Sequence, residues 1–108
     1  MTRVVVTPAA LGDLERLIST HSLPQDTRER VRHSLRPLER FPLLGAELEG
    51  RWAGFRFLLG PGRWMIVVYV YDYVYVYVYV YVYDAAEDRA AIVTIQDGRA
   101  AMFPTAPV

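Results

Sequence analysis

The chain has 108 residues, with 12 arginines and no lysine against 12 acidic residues, for a formal net charge of zero. That length bounds a single domain, and the neutral balance removes any global electrostatic case for nucleic-acid binding. With no cysteine, neither a disulfide framework nor a thiolate metal site can form.

Arg3 to Val6 is a short β-branched run and predicts a strand. It follows Met1 and Thr2 directly, without the charged and apolar regions of a signal peptide, so the expectation is a cytoplasmic chain. Thr7 can cap a helix with Pro8 at its first position. Leu11, Leu14 and Ile18 then recur at helical spacing, with Leu17 beside them, and predict one apolar stripe over about three turns.

A second helix is expected from Ser22, because Ser22 and Gln25 have capping-box spacing and Pro24 falls in the tolerated first turn. Val31, Leu35 and Leu38 would be its buried stripe. Arg28, Arg32 and Arg36 form another stripe, read as a solvated face, with a surface for nucleic acid or the ribosome as the alternative. Pro37 should kink or end this helix. Phe41 to Gly50 is a loop. Arg51 to Leu59, with Trp52, Phe55 and Phe57, reads as a strand, and Gly60-Pro61-Gly62 as the turn after it.

Arg63 then opens the most unusual stretch. Tyr69 to Tyr83 alternates tyrosine with valine, broken once by Asp72, and it holds all eight tyrosines. Such alternation is a strong strand signal. As one strand, Trp64 to Asp84 would span roughly 70 Å at about 3.3 Å per residue. A compact domain of this size has a radius of gyration of about 13 Å. The strand must therefore overhang, fold back or pair with another chain, and it holds no Gly, Pro or Asn to make a preferred turn. YVYD occurs at Tyr69–Asp72 and again at Tyr81–Asp84. Removing Tyr73 to Asp84 leaves an ordinary hairpin that turns at Asp72 and the following AAED. The block therefore reads as an expansion inside a normal strand, disordered or overhanging. Its period and its hydroxyls argue against a membrane helix. Ala90 to Gln96 predicts the last strand, which Asp97-Gly98 ends.

The resulting class is α+β: an N-terminal strand, two helices, then an antiparallel meander with one strand abnormally long. Residues 1–108 form one domain, with 69–84 the repeat expansion within the third strand and 99–108 a loose tail.

Three segments, VVVTPAALGDLERL, FPLLGAELEGRWAGFRFLLGPGRWMIVVYVYD and EDRAAIVTIQDGR, together resemble the RelE/ParE superfamily of type II toxin–antitoxin toxins. They cover almost the whole chain apart from the repeat. The resemblance implies a growth-inhibiting toxin that cleaves messenger RNA on the ribosome, held inactive by a cognate antitoxin protein. It implies an endoribonuclease without metal or cofactor, in which arginines hold the scissile phosphate and steady the charge of the transition state. The positions it points to are Arg63, Arg99 and Arg56 as catalytic residues, with Arg51 and Phe103 binding RNA. A tyrosine or histidine near the C-terminus often assists in that family. Here Met102 and Phe103 stand there, and phenylalanine cannot move a proton. His21 and His33, in or beside the helices, read as solvated.

Two other functions fit the same residues. A ParE-type toxin poisons DNA gyrase by binding and needs no catalytic group, which suits the missing tyrosine or histidine. A self-assembling chain suits the Tyr-Val block, whose high β-propensity and near absence of charge are cross-β features.

Overall fold

The computed structural model describes residues 1–78 and 81–99. The chain runs β1 (Arg3–Val6), α1 (Pro8–Thr20), α2 (Thr27–Ser34), a 3-10 helix (Arg36–Glu39), β2 (Ala46–Glu47), a second 3-10 helix (Gly50–Trp52), β3 (Arg56–Leu59), β4 (Met65–Val78) and β5 (Tyr81–Asp97). The strands form one sheet in the order β1-β5-β4-β3-β2. β1 is parallel to β5, and the other neighbours are antiparallel. Both helices pack on one face, so the class is α+β as the pattern of elements predicts. No helix among the described residues is long and apolar enough to cross a membrane.

The N-terminal half follows local chemistry closely. Thr7 caps α1 by accepting from the Ala10 N–H at 3.3 Å, and the same hydroxyl donates to the Ile92 carbonyl at 2.7 Å. One side chain therefore starts the helix and ties it to β5. The buried stripe is Ala10 and Leu14, with Leu17 and Ile18 packed beside them, whereas Leu11 is 48% exposed. The expected inclusion of Leu11 is thus corrected by one position.

Ser22 does not open α2. It closes α1, at φ 50°, with its N–H on the Ser19 carbonyl and the Leu23 N–H on the Ile18 carbonyl. This is the Schellman arrangement, with the apolar residue after the turn packed back on the core. α2 begins five residues later, where Thr27 donates to the Pro24 carbonyl at 2.7 Å. Val31, Leu35 and Leu38 are buried as expected, and α2 ends before Pro37, which sits in the 3-10 helix instead. Arg28 pairs with Glu15 and Arg32 with Glu29 on the exposed face.

The expected strand from Arg51 is shorter than its apolar content suggests. Gly50 and Gly54 take φ of 65° and 91°, so Arg51 and Trp52 lie in a 3-10 turn and β3 starts at Arg56. Trp52 packs with Ile66 and Val68, and with Leu48, Phe55, Phe57 and Val93 around them. Met65, Val67 and Tyr69 belong to the helix-side core with Ala90, Ile92 and Ile95. Alternation along β4 thus separates two cores, one on each face of the sheet. Ile92 and Ile95 share a face although three residues apart. The register passes from Val68 opposite Thr94 to Tyr69 opposite Ile92, so Val93 is an extra residue on β5.

The Tyr-Val block is not one extended strand. It folds back and is shared between β4 and β5, with Val78 opposite Tyr81 and Tyr77 opposite Val82. The expected overhang takes the form of a lengthened hairpin, in which β4 and β5 run together past the ends of β3 and β1. Backbone pairing between the halves satisfies hydrogen-bond donors and acceptors that a lone strand of that length would leave open.

Candidate functional site

The described residues offer one constellation with varied chemistry, at the end of the sheet where β4 starts and β5 stops. The turn before β4 is fixed by the Gly60 N–H on the Met65 carbonyl at 2.7 Å and the Arg63 N–H on the Gly60 carbonyl at 3.2 Å. Gly62 and Arg63 both take positive φ, 81° and 64°. A Cβ at Gly62 would stand 2.8 Å from the Trp64 indole nitrogen, so the turn can lie against that ring only as glycine. Across the hairpin, the Gly98 N–H donates to the Trp64 carbonyl at 2.7 Å. Arg63 and Arg99, each one residue further on, therefore lie at the same end of neighbouring strands.

Trp64 is the centre of the group. The Arg99 guanidinium stands over its ring at 4.4 Å, and the His21 ring meets it edge-on with centroids 5.3 Å apart. Asp97 accepts twice from the Arg99 guanidinium, at 3.0 and 3.1 Å, and once from the Arg99 backbone N–H at 2.9 Å. Its second oxygen is 3.5 Å from His21 Nε2. The hydrogen bonds from Arg99, with a smaller contribution from His21, hold the Asp97 carboxyl below its ordinary value. In return Asp97 raises the Arg99 guanidinium further. The pair is exposed enough that it orients the guanidinium more than it stabilises the fold.

The five expected site residues separate. Arg63 and Arg99 both lie at this end. Arg63 is exposed and makes no side-chain hydrogen bond or ion pair among the described residues. Arg56 is four residues along the ladder from this end, opposite Tyr69, or about 13 Å away. Its guanidinium is occupied, donating to the carbonyls of Leu43 and Gly45 and to the Glu47 carboxylate. It fastens a loop. Arg51 is exposed in the Gly50–Trp52 turn, next to the core on the opposite face from the helices. Phe103 lies outside the described residues, as do Met102 and the tail beyond Arg99.

His21, read from sequence as solvated, is instead set between Asp97 and Trp64 with its side chain 33% exposed. It is the residue that caps the C-terminus of α1, and only the packing of α1 across β5 carries it to the sheet end. His33 is exposed on α2, in an open groove with Arg30 and Pro61.

Chemically, the group holds a guanidinium fixed by a carboxylate, an imidazole and an indole, with the exposed Arg63 next to Trp64 in the chain. Guanidinium groups match phosphate oxygens in pairs, and imidazole exchanges protons near neutrality. Among the described residues, no three His, Asp or Glu side chains are grouped to hold a metal ion. The class defined here is an α+β domain with an arginine-histidine cluster at one sheet end. No protein-family model matches the chain, and no curated protein matches it.

Proposed function

We propose that this chain is a toxin of the RelE/ParE kind that inhibits growth by cutting messenger RNA on the ribosome. The observation that carries the reading is the cluster of Arg99, Asp97, Trp64 and His21 at the end of the sheet where Arg63 opens the run into β4. The element order, with two helices on one face of an antiparallel run, supports it at the level of architecture.

In this reading Arg63, free of partners, takes the scissile phosphate, and Arg99 neutralises charge that builds on the phosphoryl oxygens. His21 accepts the ribose 2′-hydroxyl proton as the O2′–P bond forms and the P–O5′ bond breaks; the leaving oxygen takes a proton from the imidazolium. His21 would thus fill the role that the C-terminal segment, with Met102 and Phe103, lacks. The partners are the ribosome, the message and a cognate antitoxin in the cytoplasm.

The test is to map messenger RNA ends in a cell-free translation reaction. The parent chain should produce new ends at the ribosomal A site. Arg63→Ala should lower cleavage by about two to three orders of magnitude, the usual loss for one transition-state donor. Equal cutting by folded Arg63→Ala would remove Arg63 from the site.

A second reading, gyrase inhibition without catalysis, is favoured by the engagement of Arg56 and Arg99 within the chain. Loss of supercoiling by purified gyrase on addition of this protein, with translation unaffected, would select it.

A further inference from the structure

β4 and β5 leave the body of the sheet together. β3 pairs with β4 only over Ile66 to Tyr69, and β1 pairs with β5 only over Arg89 to Ile92. Beyond those positions the two strands continue as a two-stranded arm, through Val78 on one side and back from Tyr81 on the other. Among the described residues nothing pairs with the arm's outer edges. Each edge is a row of backbone donors and acceptors able to take another strand.

The two edges are not equivalent. The β5 edge carries Asp84, Glu87 and Asp88 in sequence. Its register is also irregular, because Tyr75 is opposite Ala86 while Tyr77 is opposite Val82, which sets three β5 residues against Val76 alone. Charges and bulges are the devices by which edge strands resist pairing. The β4 edge from Tyr73 to Val78 has neither. It has six residues of aromatic and β-branched alternation, without charge, proline or glycine, in regular strand.

We infer that the β4 edge of the arm pairs antiparallel with the same edge of a second copy, about a two-fold axis. A two-fold contact places one surface on itself, and YVYVYV meets itself equivalently at every two-residue shift. The product is a four-stranded ribbon, β5-β4-β4-β5. Both of its outer edges are the charged, irregular β5 edges, so assembly stops at two chains. This inference is independent of the catalytic reading.

Sedimentation equilibrium of the full chain tests it. The expected species has twice the 12.4 kDa mass of one chain. Lysines on the pairing edge, V74K with V76K, should return the mass to one chain, with the near-ultraviolet signal of the tryptophans unchanged. Lysines on the other edge, V82K with A86K, should leave the dimer intact. A chain lacking Tyr73–Asp84 should be monomeric and is the reference if the lysine variants do not fold. A full chain that stays monomeric at every concentration overturns the inference. So does a dimer that survives deletion of the arm, a dimer broken from the β5 edge alone, or open-ended polymer with a thioflavin response.

Discussion

Gly45 and Tyr69 hold each other in place. The Gly45 N–H donates to the Tyr69 hydroxyl at 2.9 Å, and a Cβ at Gly45 would stand 2.7 Å from the Tyr69 ring and from the Phe57 carbonyl. The hydroxyl in turn donates to the Pro42 carbonyl at 2.7 Å. Tyr69 is completely buried. The first tyrosine of the repeat therefore belongs to the core and anchors the loop that leads into β2.

Tyr69→Phe should therefore destabilise the fold by about 1–3 kcal/mol, because it leaves a buried N–H and carbonyl without a partner. Gly45→Ala should cost a similar amount, about 1–3 kcal/mol, through overpacking. The two changes touch the same contact, so the double variant should lose less than the sum. Urea unfolding of the three variants measures this directly.

Burial is the main cause that raises the Tyr69 phenol above its ordinary value of 10.0, against smaller opposing effects of Gly45 and Arg56. The neutral phenol is the form the fold favours. Its contribution is complete below pH 10.0 and is lost as pH rises through the raised value. Tyr71 shifts in the same direction, chiefly by burial and then by Asp88. The parent should lose stability in alkali more steeply than Tyr69→Phe does. Thermal melts of both chains across that range give the comparison, and equal slopes would count against it.

Arg63 sits at φ 64°, a conformation that costs an ordinary side chain about 1–2 kcal/mol. It makes no polar side-chain contact among the described residues that would offset this. Arg63→Gly should raise stability by about 1 kcal/mol. Under the proposed function it should also abolish cleavage. A stabilised and inactive protein is the expected pair of results. Lower stability in Arg63→Gly would mean that the arginine holds the turn.

The register shows what the repeat does to the fold. Asp72 is opposite Arg89, and only Ala85–Asp88 would join them once Tyr73–Asp84 is removed. Four residues suffice for a hairpin loop. The shortened chain should keep its core, with a melting temperature within a few degrees of the parent (about 4–8 °C per kcal/mol for a domain this size) and the same tryptophan environment. Loss of the cooperative transition would mean that the arm supports the body.

Much of the architecture is legible in the sequence. Thr7 and Pro8 announce α1, and Val31, Leu35 and Leu38 announce the buried side of the second helical region, because capping and periodicity are local. Ser22 misled because a serine three residues before Gln25 fits a helix start, while its positive φ is set by the way α1 ends. The fold-back of the repeat was one of three options. No turn residue marks it, and the pairing is decided by the hydrogen bonds of two long strands. Arg63 and Arg99 could be placed at strand ends, but the stacking of Arg99 on Trp64 depends on the β4–β5 register. His21 could not be found at all, since nothing near it in sequence points to Asp97. The resemblance points to Arg56 as a phosphate ligand, and its engagement with the carbonyls of Leu43 and Gly45, beside the Glu47 carboxylate, carries no mark in the sequence.

The parallel pairing of β1 with β5 has a consequence for synthesis. Thr2 donates to Asp88, Thr7 to Ile92, and Thr94 to Asp13 at the middle of α1. Each tie spans more than 80 residues. The opening strand and helix therefore have no sheet to rest on until the final strand has been made. Contacts of such long sequence separation also slow the search for the native state. A nascent chain emerging from the ribosome stays without this core, and without the cluster of His21, Asp97 and Arg99, until β5 has followed the other strands out.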